Sequence, residues 1–339
     1  MNFKQNILYI FLFTGLFLTD IPCNSQQAPA YSQFMLNRFL INPARTGAYG
    51  YTAINVIARE QWLGLQNSPK THAISFQSRI LKRSFVSNRR SPKRRYEEGL
   101  FRSGRIGIGG YLFNDQTGAI NRTGGQITYA YHIDLEHSQL SFGLSTQLFQ
   151  FNLKESEIIL YEGDEDDPLL LNNKHTLYIP DASVGVYFIS PVIFTGLSAT
   201  QLFQSALKFG PADESDYKMM RYYYGIFGYE FILNRYYKIE PSILIKSNDN
   251  LYSQFDINCR FYYKNNYWSG LSFRTGTLHG NLGSAIVVMG GLNIDNLYFG
   301  YAFDYTLNSI QRHSFGSHEL TVAIKFGDSP KRYRWLIRY

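Results

Sequence analysis

The stretch LYSQFDINCRFYYK (251–264) alternates strictly between two kinds of side chain. One face reads Leu251, Ser253, Phe255, Ile257, Cys259, Phe261 and Tyr263. The other reads Tyr252, Gln254, Asp256, Asn258, Arg260, Tyr262 and Lys264. A period of two with one apolar face marks a strand that has apolar surroundings on one side only. LYFGYAFDYTL (297–307) repeats the pattern, with Leu297, Phe299, Tyr301, Phe303 and Tyr305 opposite Gly300, Ala302, Asp304 and Thr306. QITYAYHID (126–134) sets Ile127, Tyr129, Tyr131 and Ile133 against Gln126, Thr128, Ala130, His132 and Asp134. A large aromatic face opposite small or charged residues fits lipid outside and a polar lumen inside.

Composition points the same way. The chain has 27 Tyr and 26 Phe, yet only 17% of its residues are charged. Amphipathic rings populate both surfaces of a membrane barrel, whereas a soluble core has no need of so many tyrosines. A soluble, Tyr-rich β-sandwich is the alternative. A length of 339 residues suggests about two soluble domains, but barrels run long as one unit. Beyond residue 25 no apolar run approaches the roughly 20 residues of a spanning helix. If the chain lies in a membrane, it crosses as a closed barrel, because only helices and barrels satisfy every backbone group in hydrocarbon.

At the start of the chain, Lys4 precedes the apolar ILYIFLFTGLFL (7–18), and polar CNSQQ (23–27) follows. This reads as a signal peptide over 1–25, cut after Ser25 to leave Gln26 as the first mature residue. Cys23 keeps lipidation open as an alternative, although Pro22 before it is a poor fit to the small residue lipidation needs. Cleavage leaves Cys259 as the one cysteine, so no internal disulfide forms.

Alternation gives fourteen strands, near 51–61, 70–80, 104–115, 123–134, 138–152, 181–190, 192–200, 220–232, 236–246, 251–263, 267–276, 282–292, 296–306 and 318–327. Short turns at 135–137, 190–191, 233–235, 264–266 and 293–295 all fall on one side. Long connections at 153–180, 201–219 and 307–317 fall on the other. Outer-membrane barrels have short periplasmic turns and longer outer loops, so both ends of the barrel are expected to be periplasmic. The connection 82–105 departs from this rule. It carries Arg89, Arg90, Lys93, Arg94 and Arg95 among nine basic residues, and the tail 328–339 adds Lys331, Arg332, Arg334 and Arg338. Together they hold 13 of the 33 Lys and Arg, so the rest of the chain is near neutral or acidic.

At this point the sequence resembles the PorP/SprF family of type IX secretion proteins. QQAPAYSQFMLNRFLINPARTGAYG (26–50) resembles the family's opening, with its I-N-P element. GIGGYLFNDQTGAI (107–120), PDASVGVYFISPVIFTGLSATQLFQ (180–204), YWSGLSFRTG (267–276) and GSHELTVAIKF (316–326) match later elements in order. The resemblance implies a fatty-acid-transporter-like barrel of about fourteen strands in the outer membrane of a Gram-negative, Bacteroidota-type bacterium. It implies a non-enzymatic component of the secretion machinery, with no cofactor, in some members tied to gliding motility. The implied partners are the ring lipoprotein and its periplasmic partner, a peptidoglycan-binding protein of the outer-membrane-protein-A type, and adhesin cargo. Family members commonly stop near Phe326. Here a tail follows in which Tyr333, Trp335, Ile337 and Tyr339 alternate again, which leaves the identity of the last strand open.

No catalytic constellation is visible: the seven histidines are scattered, with no H-E-x-x-H or G-x-S-x-G. GDEDDP (163–168) lacks the spacing of an EF-hand loop, and GIGG (107–110) sits in an alternating strand, where glycines facing a crowded lumen explain it. By parity the inward charges include Asp134, Lys238, Glu240, Lys246, Asp256, Arg260, Arg274, Asp304, Glu319 and Lys325. They predict either a cross-linked interior or a hydrated lumen. The polar and aromatic segment 26–47, with Tyr31, Gln33, Asn42 and Pro43, is expected to fold into the lumen as a plug, with a surface arm as its rival. The barrel then covers 48–327 and the basic tail 328–339. The basic 82–105 segment is either a solvated loop or a dock for an acidic periplasmic partner or the cell wall; export makes a nucleic-acid role improbable. A channel for small hydrophobic or polar solutes is the alternative function.

Overall fold

The computed structural model describes residues 31–80, 105–135, 137–153, 176–204, 206–208, 216–249, 253–277 and 285–326. Seven strands form half of the wall: β1 (Thr52–Glu60), β2 (Lys70–Ile80), β3 (Ile106–Thr117), β4 (Ile120–Asp134), β5 (Gln139–Leu153), β6 (Thr176–Ile189) and β7 (Ile193–Thr200). The other half is β8 (Tyr222–Tyr229), β9 (Tyr237–Asn248), β10 (Ser253–Tyr263), β11 (Tyr267–Thr277), β12 (Ala285–Ile294), β13 (Leu297–Thr306) and β14 (Ser317–Phe326). Each strand pairs antiparallel with its neighbour in sequence. β14 returns to β1, with Phe326 opposite Thr52 and His318 opposite Glu60, and closes the ring. Closure leaves no edge with unpaired backbone groups, which the hydrocarbon of a membrane would penalise.

The alternation read from the sequence is present in space. Ile257, Cys259 and Phe261 are exposed on the outer face of β10, while Asp256, Asn258 and Arg260 are buried inside. Ile127 is 75% exposed, Leu197 69% and Leu112 61%, with no protein layer over them. Such a belt of bare Leu, Ile, Phe and Tyr around a ring with a charged interior is suited to lipid.

Several strand limits differ from expectation by a few residues, and two of the shifts have a clear cause. β4 begins at Ile120 rather than 123, because Gly118 at φ +57° turns the chain in two residues and lets β3 and β4 pair up to Thr117 and Ile120. β6 begins at Thr176 rather than 181 and runs through Pro180. A proline supplies no N–H to a ladder. Here it faces Leu148 of β5, and pairing with β7 starts only at Val184. Pro241 in β9 is accommodated similarly, beside the break in β8 between Tyr229 and the short extension Phe231–Ile232. The last strand of the ring is β14, and the alternating tail beyond Phe326 lies outside the described residues.

The turn end of the barrel carries the connections after β4, β6, β10 and β12, and the loop end carries those after β5, β7 and β13. Inside, apolar residues form two clusters. Ile57, Phe113, Phe149, Phe151 and Ile179 pack together toward the loop end. Tyr187, Phe194, Trp268, Val287 and Met289 pack around Phe34, Met35, Ile41 and Ala44. The last four belong to the segment that precedes β1.

Candidate functional site

The segment Tyr31–Gly50 lies lengthwise within the ring. It contains two short 3-10 turns, Arg38–Leu40 and Pro43–Arg45, and its residues from Ser32 to Ala48 are almost all buried. Asn42 starts the second turn: its side-chain oxygen accepts from the Ala44 N–H at 2.9 Å, and proline follows at the first turn position. Its amide donates to Val186 O at 3.0 Å and Leu197 O at 3.1 Å, so the cap also fixes the turn to β6 and β7.

Glycines in the wall make room for this segment. A side chain at Gly143 would land on the backbone of Pro43 and Ala44. At Gly185 it would meet Asn42, at Gly107 the carbonyl of Thr46, and at Gly300 the side chain of Gln33. Gly107 of the GIGG stretch thus serves close approach of one backbone to another, whereas Gly110 has room for a side chain.

Charged groups bind the segment at three levels. Toward the loop end, Glu319 accepts from the Ser32 N–H at 2.7 Å and the Gln33 N–H at 2.8 Å. Asp304 accepts from the Ser32 hydroxyl at 2.6 Å. Arg59 holds both carboxylates, at 3.1 Å from Glu319 and 2.8 Å from Asp304, and Arg274 lies 3.3 Å from Asp304 and from Asp256. Midway, Arg38 pairs with Glu240, which also pairs with Arg260 at 2.5 Å. The Arg38 guanidinium stacks 3.7 Å from the centre of the Phe194 ring. At the turn end, Arg79 donates to Ala48 O at 3.2 Å and to Gln139 at 2.7 Å, and lies 3.2 Å from Asp134. His132 bridges Ser141 and the carbonyl of Thr46.

These charges are buried, so pairing decides whether they stabilise. Removing two ions from water costs several kcal/mol each, which attraction offsets only when the remaining donors and acceptors are also used. Each of the four buried carboxylates, Glu240, Asp256, Asp304 and Glu319, has at least two donors, while Asp134 is more exposed and pairs with Arg79. Three of the pairs, Arg59 with Glu319, Glu240 with Arg260 and Asp256 with Arg274, stand directly opposite each other on adjacent strands.

The sequence-predicted luminal residues Glu240, Lys246, Asp256, Arg260, Arg274, Asp304 and Glu319 are all buried inside, and Asp134, Lys238 and Lys325 line the turn end half-covered. Tyr31, Gln33, Asn42 and Pro43 all lie in the luminal segment, where Tyr31 shares a hydrogen bond with Tyr111. Parity missed Arg59, Arg79, Asp115 and Arg122 in the wall, and composition missed Arg38 and Arg45 in the segment. The signal for Arg59 was present as Asn55-x-Ile57-x-Arg59, but Ile57 on that face masks its polarity. The residues read as a partner dock (Arg89, Arg90, Lys93, Arg94, Arg95, Lys331, Arg332 and Arg334), the cleavage pair Ser25 and Gln26, and GDEDDP fall outside the described residues.

A closed antiparallel ring of fourteen strands, apolar outside and charged within, defines a transmembrane β-barrel of the kind that fits an outer membrane. The family model for the type IX secretion system membrane protein PorP/SprF matches residues 23–324, and the chain belongs to this family. No curated protein matches the sequence. Among solved structures it is similar to a TodX monoaromatic hydrocarbon channel mutant (8% identity, 85% of this chain and 93% of that one, TM-score 0.44). It is also similar to the KdgM porin (8% identity, 82% and 99%, TM-score 0.34).

Proposed function

We propose that the chain is a non-enzymatic outer-membrane component of the type IX secretion machinery in a Bacteroidota-type bacterium. In this reading it scaffolds periplasmic ring partners and assists export or surface anchoring of cargo such as adhesins. The observation that carries the reading is the occupied lumen. The segment Tyr31–Gly50 is tied to the wall by Glu319, Asp304, Glu240 and Arg79, so the interior is spent on holding the protein's own chain. A barrel built around a fixed internal segment suits attachment of other proteins better than passage of solutes. The basic stretches 82–105 and 328–339 extend the reading, as docks for an acidic periplasmic partner or the cell wall.

Pull-down from detergent-solubilised envelopes tests it. The ring lipoprotein, its periplasmic partner or the peptidoglycan-binding protein of the outer-membrane-protein-A type should co-purify. A single-channel trace of the purified barrel should be silent. Recovery of none of these partners together with a steady conductance would favour the solute-channel alternative.

A further inference from the structure

Below the luminal segment, at the turn end, the ring encloses a cavity of about 170 Å³. That is far more than the 10–15 Å³ or so that one water requires. It extends from Met35 and Trp268 down to Asn265 and Asn293, beside the β10–β11 and β12–β13 turns. Its charge is one-sided. Arg38, Arg45, Lys238, Arg260 and Lys325 line it, against Glu230 and Glu240 only. Both carboxylates are already engaged, Glu240 by Arg38 and Arg260, and Glu230 by Lys238 at 3.3 Å.

Arg45 is the unusual member. It is 6% exposed, yet its guanidinium makes no hydrogen bond or ion pair among the described residues. Among the described residues its guanidinium instead lies over the faces of Tyr49, 3.5 Å from the ring centre, and Tyr187 at 5.3 Å. A ring face offers a guanidinium about 0.5–2 kcal/mol, while an unpaired buried charge costs several.

We infer that this cavity is a binding site for an oxyanionic group, a carboxylate or a phosphate, that enters from the turn end and is held by the Arg45 guanidinium. Planar guanidinium donors match both groups, and the tyrosines around Arg45 fix its plane before the ligand arrives. The excess of cations over carboxylates supplies the attraction, and the surrounding wall weakens its screening. The site does not depend on the scaffold reading, since it concerns what the lumen holds rather than what docks outside.

The test uses the full chain, purified in detergent and titrated with inorganic phosphate or succinate against sodium chloride at equal ionic strength. The readout is the temperature at which the folded band is lost on unheated gels. In the wild type, one of the two oxyanions should raise that temperature saturably above the chloride control. Arg45→Gln should weaken the apparent affinity at least tenfold. Lys325→Gln, at the mouth of the cavity, should weaken it severalfold and guards against Arg45→Gln failing to fold. Response to succinate alone assigns a carboxylate ligand, and response to phosphate alone a phosphate. Phosphate and succinate both behaving as chloride, or the variants binding as the wild type does, overturns the site.

Discussion

Arg59 on β1 reaches across β14 to lie 2.8 Å from Asp304 on β13, while holding Glu319 of β14 at 3.1 Å on the way. One buried guanidinium thus spans the seam where the barrel closes, and both of its carboxylates hold Ser32 of the luminal segment. Arg59→Met should lower stability by about 3–5 kcal/mol, because it leaves two buried carboxylates short of a cation. Arg59→Met combined with Glu319→Gln should lose less than the two single changes summed. Urea midpoints of the folded barrel, read on unheated gels, check this, and an unchanged midpoint for Arg59→Met would remove the seam from the account.

Gly143 faces the backbone of Pro43 and Ala44 with no room for a side chain, whereas a side chain at Gly110 would meet only Gln126 O at 3.7 Å. Gly143→Val should therefore expel or displace the segment, and Gly110→Ala should be tolerated. Limited proteolysis of the folded barrel should cut within 31–50 in the first variant and spare it in the second. Equal protection in both would mean that the segment adapts to the loss of space.

Cys259 is exposed on the outer face of β10, in line with Ile257 and Phe261. In intact membranes it should resist a polar maleimide and react only after detergent or denaturant. Fast labelling from water would mean that the register of β10 is shifted by one residue, since such a slip exchanges the two faces.

The strand count and most of the faces were legible because lipid and lumen impose a period of two on the strands; the closing strand was not, because the tail beyond Phe326 alternates as well. What alternation cannot supply is register. That Glu240 stands opposite Arg260, and Asp256 opposite Arg274, depends on how adjacent strands slide past each other. Arg59 and Arg79 escaped because the inward faces of β1 and β2 mix Ala53, Ile57 and Ala73 with polar residues. Arg38 and Arg45 escaped for a different reason. They sit in 3-10 turns with no period to follow, and their surroundings come from distant strands, with Glu240 on β9, Phe194 on β7 and Tyr187 on β6.

Deleting Gln26–Ala44, with residues 1–25 retained, should leave a folded, heat-modifiable barrel with measurable conductance. The deletion removes Arg38 but leaves Glu240 paired with Arg260, so part of the wall network survives. A conductance still at baseline would mean that the wall side chains close the lumen unaided.

Charge reversal of Arg89, Arg90, Lys93, Arg94 and Arg95 to Glu should preserve barrel assembly and weaken recovery of periplasmic or cell-wall partners. In the wild type, recovery should fall with added salt, since exposed charges are screened within about 10 Å at 0.1 M. Unchanged recovery and secretion would leave that stretch a solvated connection.

The grip of Glu319 on Ser32 and Gln33 joins positions 287 and 286 residues apart in sequence. A chain that acquires its strands in order cannot form these bonds until the final hairpin is in place. Bringing such distant residues together carries an entropic cost that must be met before any contact rewards it. The threading of the segment and the sealing of the wall are therefore one late event. A ring that closed around nothing would trap Asp304 and Glu319 facing an empty interior, short of the donors that Ser32 and Gln33 bring. Ser32 and Gln33 thus complete the surroundings of a carboxylate near the far end of the chain, and a barrel without the segment keeps unspent charge inside.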